Sequence, residues 1–429
     1  MVKGGKIIGE GSYGCVHKPS LHCLKKNSEI NYADYVSKIM KTKEAQSELK
    51  EFVVMGTYDA TNEYHLGTPI LCQPELTDKI INKEISKCKY IKPSEVKANP
   101  HDYKILLIKF GGPDLKNLCN SHLEKYLSTK AKVKTDRFWL EVHRLLKGLR
   151  FFKNNGIVHN DIKPQNILFN MKTGKLAFID FGLTRSKKDI VSSSKKSNNF
   201  LGIYHWSYPF ECGLMNKDKY NKFKILSASR KNAYKDQFGD MIINDNDKYK
   251  DENPKNTFDI SIKTPAAFNV LFAYINPDVT DATKNDYIEH FFDGMNNLIS
   301  KDSYDANLDR IVSSIDVYGL GFTMQYILNC FNKQKAIDTV VFTRLSTFFH
   351  KMYDFNPETR EINIDTLINE YENILLEIGV LTRLKKSFVN NTIVNKKPLF
   401  TGSKKCQPGQ TRNAKFRCVS SKTKKCRNK

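Results

Sequence analysis

The stretch that decides the fold reads Val158-His159-Asn160-Asp161-Ile162-Lys163-Pro164-Gln165-Asn166. Fourteen residues after Asn166 the chain reaches Asp180-Phe181-Gly182. Chemically, the two runs supply an acid, a cation, an amide and a second acid at fixed spacing. The segment between them, residues 167–179, is apolar enough to form two short strands.

Together the two runs resemble the catalytic loop and the metal-binding triplet of eukaryotic-type protein kinases. The resemblance implies that Asp161 accepts the proton of the acceptor hydroxyl and that Lys163 holds the charge of the transferred phosphate. It also implies that Asn166 and Asp180 bind Mg²⁺ and that ATP is the phosphate donor. Because Lys163 stands two residues after Asp161, the loop is similar to that of the serine/threonine class, whose substrates are proteins with Ser or Thr hydroxyls.

A glycine-rich run near the start of the chain fits this resemblance. Residues 6–17 read K-I-I-G-E-G-S-Y-G-C-V-H, which is the pattern G-x-G-x-x-G-x-V between two strand-like segments. Since a strand and not a helix follows the glycines, the pattern favours a kinase hairpin over a dinucleotide-binding turn. The resemblance implies that ATP lies beneath this hairpin, in contact with Ile8, Gly9, Gly11, Gly14 and Val16.

The next two segments resemble the kinase strand and helix that hold the phosphates. Lys38 lies in an alternating segment, residues 35–40, and is expected to bind the α- and β-phosphates. The helix predicted from Thr42 to Met55 supplies its acidic partner. We predict Glu48, with Glu51 as a serious alternative and Glu44 as a weaker one.

Residues 104–115 predict a buried strand that ends in a turn, similar to the hinge between the kinase lobes. The backbone near Ile108 and Phe110 is then expected to contact adenine, with Asp114 near the ribose. Apolar residues at helical spacing predict a core helix over residues 136–155, which leads into the catalytic loop.

Several residues around the loop are expected to position it. His159 should pack under Phe181, and Asp316 should bond the backbone of the loop. Glu211, at the end of the activation segment, is predicted to form a buried ion pair with Arg360. Asn160 stands where many kinases carry an arginine that binds a phosphorylated residue, so we predict activity without activation-loop phosphorylation.

The predicted fold class is α+β, a bilobal protein kinase-like fold with a small antiparallel sheet in the N-lobe and a mainly helical C-lobe. The expected domains are residues 1–110, residues 111–377 with a large insertion at about 212–314, and a basic tail over 378–429. Within the insertion, residues 215–256 are expected to be exposed with few apolar anchors. The run Ser192-Ser193-Ser194-Lys195-Lys196-Ser197 is expected to be mobile.

The net charge of +23 is placed unevenly along the 429 residues. No acidic residue follows Glu377, and fifteen Lys and Arg lie from Arg383 on, which leaves +8 for residues 1–377. Such a tail suits an acidic protein or nucleic acid partner, or is simply a solvated end. Without a signal-like segment or a membrane-length apolar run, the chain is expected to be intracellular, with no membrane partner.

Seven of the ten cysteines are scattered without metal-ligand spacing and are expected to be reduced thiols. The tail from Cys406 to Val419 resembles the two-cysteine adaptor motif of large DNA viruses, C-x-x-G-x-x-R-N-x(4)-C-V. This resemblance implies an iridovirus-like kinase that acts in the host cytoplasm or the virion. A Cys406–Cys418 disulfide in an oxidised virion is a further possibility, whereas a zinc site is not favoured.

Three other functions stay open. A catalytically weak kinase-like scaffold, acting through its basic tail, would usually have lost Lys38, Asp161, Asn166 or Asp180, and none is missing. A small-molecule kinase would not be expected to carry Lys163 with Pro164. Binding of nucleic acid through the tail is compatible with kinase activity.

Overall fold

The structure of the chain is a computed structural model that describes residues 5–11, 14–25, 28–244, 258, 260–385, 410–412 and 418–420. The chain separates into two units, Met1–Leu381 and Thr382–Lys429.

An antiparallel sheet lies in the N-terminal part of the first unit. The strands of this sheet in the described chain are β1 (Lys6–Gly11), β2 (Gly14–Lys18), β3 (Tyr35–Lys41), β4 (Ile70–Cys72) and β5 (Tyr103–Lys109). They lie in the order β1-β2-β3-β5-β4 across the sheet, and along each strand successive side chains point to opposite faces. The helices beside them are α1 (Thr42–Tyr58), α2 (Asp78–Lys83) and α3 (Pro93–Ala98).

Both faces of this sheet are covered. On one face, Leu106 of β5 packs with Met40 and with Ala45 of α1. On the other face, Ile105 and Leu107 belong to a core that includes apolar residues of the segment from 81 to 96. The lysine-rich segment between α1 and β5 thus hides the second face of the sheet, and α1 is held close to β3.

Two disulfides join the sheet to neighbouring segments, which corrects the expectation that the scattered cysteines are free thiols. Cys15 of β2 is bonded to Cys88, and Cys23 is bonded to Cys72 of β4. The partners are 73 and 49 residues apart in sequence, so only the packing of the sheet brings them together. Cys119, Cys212 and Cys330 are free.

Helices dominate the rest of the first unit, and short strand pairs lie between them. The helices are α4 (Leu115–Asn117), α5 (Leu123–Leu127), α6 (Ala131–Asn154), α7 (Lys187–Lys195), α8 (Lys217–Lys224), α9 (Ala228–Ile243), α10 (Phe268–Ile275), α11 (Asp281–Lys301), α12 (Tyr304–Lys333), α13 (Thr339–Tyr353) and α14 (Ile364–Glu377). The strands are β6 (Ile157–Val158), β7 (Ile167–Phe169), β8 (Leu176–Phe178), β9 (Arg185–Ser186), β10 (Tyr204–His205) and β11 (Ile262–Lys263).

Two helices form the centre of this helical part. The apolar positions predicted for α6 are all buried, from Trp139 to Phe152, although the helix begins at Ala131 and not at Asp136. Its first turn is more exposed, so apolar spacing could not reveal it. Along α12 most residues from Ile311 to Leu328 are buried, as the apolar sequence predicts. The described sheet of five strands with a mostly helical remainder is compatible with the bilobal kinase fold.

The expectation of an exposed insertion with few apolar anchors is wrong for residues 215–244. Tyr220 and Phe223 of α8 are buried, as are Tyr234 and Phe238 of α9. The rings of Tyr234 and Phe238 pack against Phe292 of α11, at 6.0 and 5.6 Å between centroids. Helical spacing gathers these sparse aromatic residues on one face, which a count of polar residues does not detect.

The run from Ser192, which was expected to be mobile, is helical as far as Lys195. Its first three serines lie in α7, which begins after Ser186, whose Oγ accepts a hydrogen bond from Asp189 N at 3.0 Å. Ser194 is fully buried, and its Oγ accepts from Asn199 Nδ2 at 2.9 Å.

The described part of the second unit contains β12 (Gln410–Arg412) and β13 (Cys418–Ser420), which pair as antiparallel strands. Cys406 lies outside the described residues, and the proposed Cys406–Cys418 pairing with it. In the part of the chain that the structure describes, no helix is both long and apolar enough to cross a bilayer.

Candidate active site

The glycine-rich run forms the hairpin of β1 and β2. Gly11 pairs with Gly14 at its tip, and Gly9 pairs with Val16, while the register shifts between Ile7 and Gly9. Ile8 therefore sits at an irregularity and is 45% exposed. Ser12 and Tyr13, at the turn itself, lie outside the described residues.

Gly14 is also required by the packing of the sheet. A Cβ atom at this position would collide with the carbonyl oxygen of Ile39 on β3. The absence of a side chain therefore lets β2 approach β3 at Gly14, whose Cα partner is Met40. Two residues further, Val16 is the partner of Lys38, so the hairpin lies directly beside the candidate phosphate-binding lysine.

Lys38 Nζ lies 2.5 Å from Glu48 Oε2, and both side chains are about one-fifth exposed. Glu48 faces Lys38 because α1 packs over this face of the sheet. Glu51, one turn further along α1, lies on the same side of the helix. The charges of Glu48, Asp180 and Lys38 shift its pKa.

The predicted hinge residues follow one another at the end of β5. Ile108 pairs with Val36, and Phe110 N donates to Asp34 O at 2.8 Å. The carboxylate of Asp114 caps α4, because its Oδ1 accepts from Asn117 N at 2.8 Å. Asp114 therefore has a structural role in this structure.

The catalytic loop brings Asp161, Lys163 and Asn166 together. Lys163 Nζ lies 2.7 and 2.8 Å from the two carboxylate oxygens of Asp161. Asn166 Nδ2 donates to Asp161 Oδ2 at 2.7 Å and to Asp161 O at 2.8 Å. Burial raises the pKa of Asp161, and the positive charge of Lys163 partly offsets this rise. A buried carboxylate with a cation at its side is a suitable proton acceptor.

Asp180 adopts a left-handed backbone conformation with φ of 64°, which is unusual for a residue with a side chain. The negative charge of Asp180 acts to raise the pKa values of Asp161, His159 and Glu51. Burial, Glu48 and Asp180 together raise the pKa of Glu51 to about 7, while Lys38 lowers it. Lys38 and Asp180 thus both act on Glu51, so the two predicted phosphate-site residues lie in one electrostatic cluster.

The donor set near Asp180 fits a magnesium ion better than a zinc ion. Among the described residues, no group of three or more His, Cys, Asp and Glu side chains is arranged to hold a metal ion. Mg²⁺ is commonly held by one or two carboxylates together with water and substrate phosphates. Because both amide hydrogens of Asn166 are directed to Asp161, its amide oxygen is available as a further ligand. Ile179 N donates to Asn166 O at 3.0 Å, which holds Asn166 close to the residue that precedes Asp180.

Aromatic packing holds this cluster in place. The ring of His159 lies 5.0 Å from that of Phe181, as predicted, and Phe52 of α1 meets Phe181 edge-on at 5.9 Å. Burial lowers the pKa of His159 to about 4, so its imidazole is neutral. The predicted role of Asp316 is confirmed, since His159 N and Asn160 N donate to its carboxylate at 2.8 and 3.0 Å.

The predicted ion pair between Glu211 and Arg360 is confirmed. Both side chains are 1% exposed, and Arg360 Nη1 contacts Glu211 Oε1. Ser314 of α12 donates to the same carboxylate at 3.1 Å. A buried pair of this kind fixes geometry, because removal of one partner leaves an unpaired buried charge.

Asn160 joins the catalytic loop to the activation segment. Its backbone is left-handed, with φ of 64°, a conformation that asparagine tolerates well. Its Nδ2 donates to Leu183 O at 2.8 Å and to Val158 O at 3.3 Å. β6, which ends two residues before Asn160, also pairs with β9, which begins two residues after Leu183.

Sequence reasoning gave Glu51 only as an alternative partner of Lys38. In the structure the carboxylate of Glu51 extends from α1 towards Gly182 and interacts with the charge of Asp180. The sequence indicated that Glu51 could join the site because it lies three residues after Glu48. This spacing places both carboxylates on one side of a helix.

Comparisons with known proteins agree with this geometry. Residues 115–210 match the family model of the protein kinase domain. Sperm motility kinase 2B of Mus musculus is 42% identical over 66 residues, which are 15% of this chain and 13% of that protein. A probable cell division protein kinase of Encephalitozoon cuniculi is 33% identical over 104 residues, 24% of this chain and 30% of that protein.

A putative serine/threonine-protein kinase/receptor of Acanthamoeba polyphaga mimivirus is 38% identical over 63 residues, 15% of this chain and 4% of that protein. The chain therefore spans less than a third of the length of each of these relatives. The matched part contains Asp161, Lys163, Asn166 and Asp180 and reaches residue 210, one residue before Glu211. The chain contains a protein kinase domain.

Proposed function

We propose that the chain is an ATP-dependent serine/threonine protein kinase. The observation that carries the proposal is the contact of Asp161 with Lys163 and Asn166, in a cluster that also includes Asp180 and Lys38. A transfer of phosphate to a hydroxyl needs a proton acceptor and several positive groups around the transferred phosphate.

Each residue has one role in this proposal. Asp161 orients the acceptor hydroxyl and takes its proton, and Lys163 offsets negative charge beside it. Lys38, held by Glu48, binds phosphate oxygens of the nucleotide. When bound on Asn166 and Asp180, Mg²⁺ supplies further positive charge to the phosphates.

The nucleotide is proposed to lie between the glycine hairpin and the catalytic loop. Ile8, Gly9, Gly11, Gly14 and Val16 would cover it from β1 and β2. The backbone at Ile108 and Phe110 would meet the adenine, with Asp114 near the ribose while it caps α4.

Preference for Ser or Thr hydroxyls is supported by Lys163, which contacts both oxygens of Asp161.

We further infer that the basic tail, residues 378–429, contacts an acidic protein or nucleic acid, and that the chain derives from a large DNA virus. The tail inference is supported by its fifteen Lys and Arg without an acidic residue. Binding of labelled DNA that weakens with salt and disappears on deletion of residues 378–429 would support it.

The central test is transfer of labelled phosphate from ATP, with Mg²⁺, to proteins of a mixed extract and to a panel of sugars and choline. Asp161→Asn should reduce kcat by about 10²–10⁴-fold, because the proton acceptor is lost, while nucleotide binding is retained. Lys38→Met should also abolish transfer. Asp278→Asn, in an exposed turn, is the matched control and should leave the rate unchanged.

Unchanged transfer by Asp161→Asn would show that its role is wrongly assigned. Labelling of sugars or choline but not of proteins would replace the proposal with a small-molecule kinase. Nucleotide binding without transfer to any acceptor would point to a kinase-like scaffold.

A further inference from the structure

A strand from the insertion pairs with the activation segment beside the catalytic loop. β10 and β11 are parallel, and His205 is the direct partner of Lys263. Tyr204 N donates to Ser261 O at 3.0 Å, which fixes this register. Because directly paired residues project on the same face of a sheet, the side chain of Lys263 stands beside His205.

His205 in turn lies close to the catalytic residues. Its ring is 5.0 Å from that of Tyr208, and the pKa of Tyr208 is raised by burial and then by the negative charge of Asp161. Burial, Lys163 and Lys263 lower the pKa of His205 to about 4. His205 is therefore neutral, and Lys163 and Lys263 supply the positive charges that act on its ring.

The two lysines differ in what they contact. Lys163 is held by the carboxylate of Asp161. Lys263 is exposed, and no carboxylate in the described part of the chain lies within ion-pair distance of it. A cation beside the acceptor site is thus available to a bound substrate.

The strand pair that carries Lys263 is packed against the helical core. Trp206, next to His205, packs against Tyr274 of α10 at 6.3 Å and against Phe322 of α12 at 6.2 Å. This packing ties the activation segment to the buried helices. The fold therefore fixes the position of the backbone that carries Lys263. A residue that selects substrates needs such a fixed position.

We propose that Lys263 is a specificity residue that binds an anionic side chain of the substrate, a carboxylate or a phosphate, within about three residues of the acceptor hydroxyl. This inference rests on the proposed kinase function and names its substrate class: acidic or already phosphorylated peptides. It also gives the insertion a function, since β11 belongs to it.

The test compares kcat/KM for peptides that share one acceptor serine. Neighbouring positions carry Glu, phosphoserine, Gln or Lys, one at a time. The full chain should prefer an anionic neighbour over Gln by about threefold to fivefold, the scale of one exposed charge pair. The Glu and phosphoserine peptides distinguish the two sources of negative charge.

Lys263→Glu should lose this preference and should favour the Lys peptides over the Gln peptides instead. A gain on Lys peptides cannot come from misfolding. Lys224→Glu, an equal charge change on α8 of the same insertion, is the matched control and should keep the preference.

The same anionic preference in Lys263→Glu and the parent would overturn the inference, as would a parent without preference among peptides that it phosphorylates. Absence of transfer to every peptide would overturn the proposed function itself, and this inference with it.

Discussion

At the scale of single residues, Asp161 illustrates how the fold adjusts a carboxylate. It is 7% exposed, and burial raises its pKa because the charged form loses contact with water. Lys163 opposes this effect at 2.7 Å. Burial and Lys163 shift the pKa of Asp161 in opposite directions, so a substitution of Lys163 should reveal its separate contribution to this pKa.

The first prediction concerns the dependence of kcat on pH. Since Asp161 must be unprotonated to accept a proton, the rate should be lost as pH falls through its raised pKa. Lys163→Met removes the charge that lowers this pKa, so the acid limb should move to higher pH, in addition to a lower maximal rate. The measurement is kcat against pH at saturating ATP and peptide.

Circular dichroism at each pH is the control for unfolding in this experiment. An acid limb that stays in place, or moves to lower pH, in Lys163→Met would contradict the assignment of Asp161 as the base.

The second prediction separates the two glutamates of α1. Glu48→Gln removes the carboxylate that holds Lys38, and the misplaced lysine should lower kcat/KM by about a hundredfold. Glu51, whose pKa is about 7, is protonated in part at neutral pH. Glu51→Gln resembles the neutral form of Glu51 and should lower kcat/KM much less. The difference in kcat/KM between Glu51→Gln and the parent should grow above pH 7, where Glu51 in the parent is ionised.

Steady-state kinetics of both variants from pH 6 to pH 9 would check this prediction. Glu44→Gln, in the first turn of the same helix, serves as the matched control. A larger loss for Glu51→Gln than for Glu48→Gln would exchange the two roles.

At the scale of elements, the activation segment is held by contacts that need no phosphate. Asn160 binds Leu183 O, Lys187 pairs with Asp309 and Lys195 pairs with Asp305. The buried Glu211 and Arg360 secure its end. A kinase that depends on phosphorylation orders this segment through a new phosphate–arginine contact, which Asn160 is not suited to make.

The third prediction follows from these contacts. Protein treated with a broad-specificity phosphatase should retain its activity within about twofold, because no added charge is needed to order the segment. Asn160→Gly keeps the left-handed backbone but loses the bond to Leu183, so it should lower kcat while nucleotide binding is retained. Mass spectrometry must verify the dephosphorylated state, and a strong loss of activity after phosphatase treatment would contradict the prediction.

At the scale of the whole molecule, the two disulfides constrain the sheet that covers the proposed nucleotide site. Cys15 follows Gly14 in the glycine hairpin, and its bond to Cys88 ties β2 to the segment behind the sheet. The loops that the bonds close are long, and long closed loops reduce the freedom of the unfolded chain most.

The fourth prediction is that each disulfide contributes about 2–4 kcal/mol to the free energy of unfolding. Cys15→Ser with Cys88→Ser, and separately Cys23→Ser with Cys72→Ser, should be less stable in urea by this amount. Cys212→Ser, a buried free cysteine, is the control for the loss of a buried thiol.

Addition of a reductant should destabilise the parent but have less effect on each double variant. Alkylation of all four cysteines in the denatured, unreduced parent would show that the bonds are not formed.

The sequence by itself determined which side chains the proposed site contains and which local elements carry them. The spacing of Asp161, Lys163 and Asn166 within one loop is short, so local geometry keeps these side chains together. Apolar periodicity likewise predicted α6 and the burial of α12, because these patterns depend only on neighbours along the chain.

Only the tertiary structure decided which distant residues meet. The pairing of Cys15 with Cys88, the burial of aromatic residues in α8 and α9, and the place of Lys263 beside His205 all depend on packing between segments far apart in sequence. The sequence favoured Glu48 but left Glu51 open as an alternative for the same reason. Helical spacing puts both on one side of α1, and only the position of β3 determines which carboxylate reaches Lys38.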